Sequence, residues 1–415
     1  MARRVGAALA AALIAGALAV AQSANESGLR EQVDVGPRGP VGPDVPLSAA
    51  EAKRLAPRVV VSSPTAQAVQ EACDKAARDG ARVVFLPAGE YVFDKQVAVP
   101  AGVTVLGEGS RTVCRAKTRS TRLFRVQGDG VRFTRLKLVG ADTTTSEENN
   151  TYGIFVSRAQ NVRVDHCELL GFSYATSFCD EATAQVDHCY IHHNLRSGLG
   201  YGVAIYSGAY VLVCDNNFEQ NRHSLASNGA LDWSSPKRLG KYVHKPGFRK
   251  THWEFVHNRV GSNDQSEYEL CAVDTHPGMD GTFVVERNVF EQLRHGVGIR
   301  DGSGLICENV FRNLRTRTKF RELVAISVSY GKHNGIPVEG CMPNNIIIAN
   351  NRFFGLSEEQ RYLIGKAENV VIEGRLLPET KSARRPPAMP LLREMDAQGR
   401  LGIGTRPFAE LFPRG

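Results

Sequence analysis

The sequence predicts an all-β chain, a right-handed parallel β-helix closed at its N-terminal end by a capping helix. Three observations carry that reading. One phrase (apolar, any, any, Asn or Cys, any, apolar) recurs seven times between residues 164 and 353. Each phrase alternates apolar and polar residues, the period of a strand. Its anchors Cys167, Cys189, Asn216, Asn258, Asn288, Asn309 and Asn351 lie 22, 27, 42, 30, 21 and 42 residues apart. Spacings near one short coil, lengthened by insertions, mark a solenoid. A single strand cannot bury its own apolar side, whereas stacked coils bury it cooperatively. Asn at the anchor can hydrogen-bond to the Asn of the next coil, and Cys167 and Cys189 can fill the same slot as small buried groups.

The chain opens Met1-Ala-Arg-Arg4, runs through an apolar and small stretch from Val5 to Ala21, and presents Ala19-Val-Ala21 before Gln22. This is the pattern of a cleavable secretory signal over residues 1–21, too short and Ala-rich for a membrane anchor. No later segment is expected to span a bilayer, so the expectation is an exported, secreted or periplasmic protein. Removing the leader takes away Arg3 and Arg4 and no acid, lowering the net charge from +8 to +6. That excess suits an anionic polymer. Basic residues interleaved with aromatics are missing, so nucleic acid is not the expected partner. A monomer is expected. The nine Cys lack the framework spacing of a stapled domain, and no CxxC occurs. They read as packing residues, with a Cys167–Cys189 bridge left open.

Residues 22–57, polar and Pro-rich, read as a flexible lead-in. From Ser63 to about residue 78, apolar or small residues at 66, 69, 72, 73 and 76 form one helical face, with Pro64 before it and Gly80 beyond it. Strands follow at Val83-Val-Phe85 and Val103-Thr-Val-Leu106, and the β-helix is expected over 58–376. Ala141–Thr151 and Gly229–Lys250 are insertions, which in a solenoid are loops on one face. Residues 377–415, rich in Pro and Arg, are a tail or a cap.

The helix, followed by Phe85-Leu-Pro-Ala-Gly-Glu-Tyr-Val92 and Val103-Thr-Val-Leu-Gly-Glu-Gly109, resembles the N-terminal start of pectate-lyase-like right-handed β-helix proteins. The Asn anchors agree, and the resemblance covers about residues 60–375. It implies an exported carbohydrate-active protein, since lyases, hydrolases, C5-epimerases and binding proteins share the architecture; the fold alone does not choose among them.

A repeat within the repeat locates the candidate chemistry. Asn216-Asn-Phe-Glu-Gln-Asn-Arg222-His223 matches Asn288-Val-Phe-Glu-Gln-Leu-Arg294-His295 at six of eight positions. Both Arg-His pairs should share one face at one phase, about 10 Å apart if one coil of ~4.8 Å pitch lies between. The same phase counted on other coils gives Leu195-Arg196, Asp264-Gln265 and Arg315-Thr316. Between the pairs lies Asp274-Thr-His276-Pro-Gly278, in which the carboxylate can orient the imidazole as a base. It resembles the Asp-Pro-His-Asp element of β-helix mannuronan C5-epimerases, with Thr275 and Pro277 at the differing positions. Arg300 and Asp301 follow closely.

The expected reaction is abstraction of the C5 proton of a uronic acid and β-elimination. His276 or His223 would be the base, oriented by Asp274. Arg222, Arg294 or Arg300 would neutralise the carboxylate, His295 belongs to the same catalytic group, and Arg196, Arg315 and Asp301 would contact the polymer. Epimerisation shares the first step. A non-catalytic binding or surface protein is the alternative, and a hydrolase using Asp274, Asp280 or Asp301 ranks third. No catalytic metal is assigned. His188, His192 and His193 lack ligand spacing, and on a strand the last two point apart. Asp142, Glu147 and Glu148 offer oxygens for Ca2+, as any polar loop would.

Overall fold

The computed structural model describes residues 34–56, 58–229, 246–261, 271–315, 323–333, 336–337 and 341–406. The expected leader lies outside them. Contacts divide the chain into Met1–Val35 and Gly36–Gly415, and the architecture below is that of the second unit.

Three stacks of parallel strands run the length of the second unit. The first sheet has thirteen strands among the described residues, including Val162–Asp165, Thr183–Asp187, Tyr210–Cys214, His252–Val256 and Thr282–Glu286. The second has ten short strands, such as Asn217–Glu219 and Val289–Glu291. The third has ten, including Tyr152–Ser157, Tyr174–Cys179, Tyr201–Ile205, His223–Ser227, Val273–Thr275 and His295–Ile299. Along most of the rod each coil contributes one strand to each sheet, so strand n pairs with strand n+3; the short pair Lys332–His333 and Ile336–Pro337 lengthens that step to five in one coil. That is a parallel β-helix, as the repeat predicts.

The repeated phrase is the corner between the first and second sheets. At each of the seven corners the residue before the anchor (His166, His188, Asp215, His257, Arg287, Glu308 and Asn350) is left-handed, with φ between +47° and +58°. A non-glycine residue there costs about 1–2 kcal/mol, and the anchors offset that cost. Asn216 Nδ2 donates to Asn258 Oδ1 at 3.0 Å, Asn258 to Asn288 at 3.1 Å, Asn288 to Asn309 at 2.9 Å and Asn309 to Asn351 at 3.0 Å. Each amide oxygen also takes a backbone N–H from the preceding coil, as Asn288 Oδ1 does from Asn258 N at 2.8 Å. Cys167 and Cys189 occupy the same slot, fully buried, and all nine cysteines are free thiols. Beside the ladder, Phe290 stacks on Phe311 and Phe311 on Phe353, with ring centroids 4.9 and 5.3 Å apart.

The capping helix spans Ala66–Asp79, with Thr65 Oγ1 accepting from Ala68 N and Gly80 closing it at φ +73°. Its buried face (Ala66, Val69, Ala72, Cys73, Ala76) joins the main core. The described part of the lead-in is pinned to the solenoid. Gly36 N donates to Arg287 O at 2.8 Å, Arg38 pairs with Asp215 at 2.6 Å and Gly42 N donates to His188 O at 2.9 Å. It therefore runs along the row of left-handed corners and uses carbonyls that the turn leaves without a strand partner. A helix at Ala49–Arg54, capped by Ser48, follows. At the other end the chain returns as a hairpin, Met389–Met395 with Leu401–Arg406. It lies on the flank of the first sheet: Leu392 N donates to Glu254 Oε1, Met395 N to Gln185 Oε1 and Leu401 N to Asn161 Oδ1, at 2.7, 2.7 and 3.0 Å.

The ladder makes a graded prediction. Asn288→Ala removes two donated and two accepted bonds in a fully buried site, and should cost about 4 kcal/mol. Asn351→Ala, at the half-buried end where water can substitute, should cost about 1 kcal/mol. Urea denaturation of the two variants checks the order; equal losses would contradict a cooperative column.

Candidate active site on the third sheet

Strand alternation decides what faces outward on the third sheet. In Val273–Thr275, Val273 and Thr275 point inward, so Asp274 and His276 share the outer face. His223 stands on the preceding coil, where Ala226 pairs with Asp274, and Arg300 follows Ile299 on the next coil, which pairs with Thr275. Three consecutive coils thus place four polar side chains together.

Asp274 is the centre of the group and is buried. Arg300 grips it with two prongs, Nε to Oδ1 at 3.0 Å and Nη2 to Oδ2. His276 Nε2 lies 3.1 Å and His223 Nε2 3.6 Å from Oδ2. Burial alone would raise the Asp274 carboxyl; Arg300, then His276 and His223, outweigh it and hold it well below the usual range. His223 Nδ1 is 2.6 Å from Cys271 O. Burial, opposed by Asp274 and reinforced by Arg222 and His276, pushes His223 down to about 3. It is neutral at physiological pH. His276 Nε2 is buried and, although near Asp274, out of line for a hydrogen bond.

His276 and Arg300 border a groove of about 610 Å³ that Tyr174, Tyr201, Tyr206 and Arg222 also line. Tyr201 donates to Gly198 O at 3.2 Å and receives Arg222 Nη1 at 3.4 Å. Burial raises the Tyr201 phenol, with Arg222 opposing. The three tyrosines carry no repeat phrase, and the sequence reading passed over them. The signal was present in Ser173-Tyr174, which stands seven residues after Cys167 as His223 does after Asn216.

The two Arg-His pairs do share a phase. Leu225 pairs with Val273 and Val273 with Val297, so His223 and His295 are in register with one coil, at Cys271, between them. His295 is bound to Ser327 Oγ at 2.9 Å rather than to Asp274. The phase count fails elsewhere. Tyr201 pairs with His223 and Val324 with His295, so Gly200-Tyr201 and Leu323-Val324 hold the positions expected of Leu195-Arg196 and Arg315-Thr316. Extra turn residues push the strand start beyond the count. Arg196 sits in such a turn, donating to Ser197 O at 3.0 Å and Asn150 Oδ1 at 3.4 Å. Arg315 is exposed in another. Asp264, Gln265 and Thr316 lie outside the described residues.

Asp301, placed by sequence among the polymer contacts, faces away. Its oxygens take N–H groups from Gly302, Gly278 and Met342 at 2.8, 2.9 and 3.1 Å. Burial raises its carboxyl to about 6, against the Gly302 and Gly278 bonds. Asp142 and Glu148 pair with Arg119, and Glu147 accepts from Ser197 Oγ at 3.1 Å. His192 and His193 do not point apart: His193 is left-handed, φ +52°, which turns its ring back until the two Nδ1 atoms are 2.6 Å apart.

A family model described as a right-handed β-helix region matches residues 100–237. The fold is a right-handed parallel β-helix, as the sequence resemblance implies. No curated protein matches the chain. Similar solved structures include an alginate lyase from Paenibacillus sp. str. FPU-7 (16% identity, TM-score 0.39, covering 75% of this chain and 95% of that one). An α-1,3-glucanase catalytic domain is 13% identical, with TM-score 0.47, over 77% of this chain and 59% of that one. The A-module of a mannuronan C-5 epimerase from Azotobacter vinelandii is 13% identical, with TM-score 0.43, over 74% and 91%. No helix among the described residues is long and apolar enough to cross a membrane.

The pH dependence of stability tests the burial of His295. Burial and Arg294 lower it from 6.5 to about 4 in the folded chain, with Asp274 opposing. Between those values the unfolded chain binds the extra proton, so stability falls as pH drops through 6.5. At pH 5 the contribution is about 2 kcal/mol. His295→Gln should reduce the change in unfolding free energy between pH 7 and pH 4, measured by urea denaturation, by about 3 kcal/mol; an unchanged slope would exclude it.

Proposed function

We propose that the groove binds an acidic, uronic-acid polysaccharide and that the chain is a lyase acting by β-elimination. The observation that supports this reading is His276, backed by the Asp274–Arg300 pair, facing a groove whose polar walls include Arg222 and Tyr201 as well as Asp180, Ser207 and Asn228. A base, a cation and a phenol acid are what elimination next to a carboxylate requires.

With Nε2 turned to Asp274, Nδ1 of His276 is the nitrogen left for the groove, and we assign it as the base. It takes the C5 proton; the C5–H electron pair becomes the C4–C5 double bond as the C4–O bond breaks. The leaving oxygen takes a proton from Tyr201, whose raised phenol stays protonated at neutral pH. Both groups then reset through solvent. Negative charge building on the substrate carboxylate is met by Arg222. We assign that role to Arg222 rather than Arg300, because Arg300 already spends its fork on Asp274. Asp274, Arg300 and His223 are positioning residues. Export through the leader at 1–21, with 22–57, 58–376 and 377–415 as lead-in, solenoid and tail, belongs to the same proposal.

The test is the full chain with polymannuronate, polyguluronate and polygalacturonate, followed by the ultraviolet absorbance of the unsaturated uronate. One polymer should give a rising signal. His276→Ala should lower kcat by about 10³, Tyr201→Phe should lower it similarly, and Arg222→Gln should lower kcat/KM. Solvent exchange at C5 without a new double bond would replace elimination by epimerisation, and saturable binding without either would leave a binding protein.

A further inference from the structure

We propose that His223, Asp274 and His276 form a site for one divalent first-row metal ion of the zinc type. The argument begins with protons. A carbonyl oxygen only accepts, so the 2.6 Å contact to Cys271 O fixes the hydrogen of His223 on Nδ1. In the neutral ring Nε2 then carries a lone pair, and it faces Asp274 Oδ2 at 3.6 Å, one acceptor against another. His276 Nε2, buried and without an aligned hydrogen bond, meets the same oxygen at 3.1 Å. His223 Nε2 and the carboxylate thus meet as two electron-pair donors, and His276 Nε2, in the tautomer with its proton on Nδ1, is a third aimed at the same point. A cation resolves that arrangement.

The dimensions fit. The three ligand atoms lie within 4.8 Å of one another. Tetrahedral zinc with bonds of about 2.05 Å has ligand-to-ligand edges of about 3.3 Å, and the observed 3.1 and 3.6 Å bracket that value. Small side-chain rotations close the third edge. The surroundings also have the form of a second coordination sphere. A ligating imidazole ordinarily gives its other N–H to a backbone carbonyl, as His223 does, and a ligating carboxylate is held by further hydrogen bonds, as Arg300 holds Asp274. A carboxylate oxygen accepts more than one bond, so the Arg300 fork leaves a lone pair on Oδ2 for the ion. Two imidazoles with one carboxylate favour zinc and its neighbours over calcium or magnesium. Because His276 borders the groove, the fourth position opens to water. The nearby Arg300 charge weakens the site without removing a ligand.

This inference does not rest on the proposed elimination. Where both hold, they compete: ligation through Nε2 of His276 moves the ring proton to Nδ1 and removes the base.

The full chain, stripped with a chelator, is titrated with Co2+ and followed by visible absorption, and with Zn2+ by calorimetry. One ion per chain is expected, with the d–d bands of nitrogen and oxygen ligation. His276→Gln and His223→Gln should each weaken binding at least about tenfold. His276 borders the groove, so its variant keeps the fold, checked by an unchanged thermal melt, and decides the matter alone should the buried His223 variant fail to fold. Absent saturable binding, equal affinity in wild type and variants, or a thiolate charge-transfer band would each overturn the site. Polymer turnover is not a readout, so a missing elimination leaves the metal site standing, and missing metal binding leaves the elimination standing.

Discussion

The structure depends on one corner being made the same way seven times. A coil returns in register only if the chain leaves the first sheet at a fixed angle, and the left-handed residue before each anchor sets that angle. Apart from glycine, few residues take that conformation without penalty, yet here it falls on His, Asp, Arg, Glu and Asn. The cost is met collectively. Each anchor Asn satisfies its own coil and its neighbours, so a buried amide that would be a liability alone becomes one link of a column. The lead-in strengthens the same line from outside through the carbonyls of His188 and Arg287 and the carboxylate of Asp215.

That corner explains what was legible in the sequence. Its phrase carries the constraint, so seven anchors and the stacking of coils into a parallel β-helix could be read without coordinates, and the capping helix was legible from its own apolar face. Counting from the anchor reached the site only where the path from the corner to the third sheet has its shortest length; Asp274 and His276, on a longer path, were marked by their own Asp-x-His spacing. From Cys167, Asn216 and Asn288 the strand begins seven residues later, at Tyr174, His223 and His295. From Cys189 and Asn309 it begins at Tyr201 and Val324 instead, and counting then lands on Arg196 and Arg315 in turns. Insertion length is free in a solenoid, since loop closure costs grow slowly with length; periodicity therefore cannot reveal it. The two flanking elements were hidden for another reason. The lead-in and the C-terminal hairpin bind through backbone groups and a few scattered side chains, such as Arg38 on Asp215 and Leu392 beside Leu212, which form no periodic pattern.

The placement of Asp274, His276 and Arg300 follows from two elementary periods. Alternation along a strand sets Asp274 and His276 side by side on the outer face, and stacking sets Arg300 one coil away, about 4.8 Å along the axis. Thr275, facing inward between them, fixes the join. Its Oγ1 accepts from Arg300 N at 2.8 Å and Asp301 N at 3.2 Å, and donates to Asp301 O at 3.1 Å. The guanidinium is thus aimed by the rod rather than by a loop. Removing one partner of a buried pair costs about 3–5 kcal/mol, while an apolar pair of equal volume is often as stable. Stability therefore does not call for a charged centre at Asp274. Its consequence is electrostatic: a carboxylate kept ionised under two imidazole nitrogens, at the wall of a groove, on a scaffold too stiff to let the three relax apart. That preorganisation is the common root of both roles drawn from the site, a ring oriented to take a proton and a set of electron pairs oriented to hold a cation. A single ring cannot serve both at once.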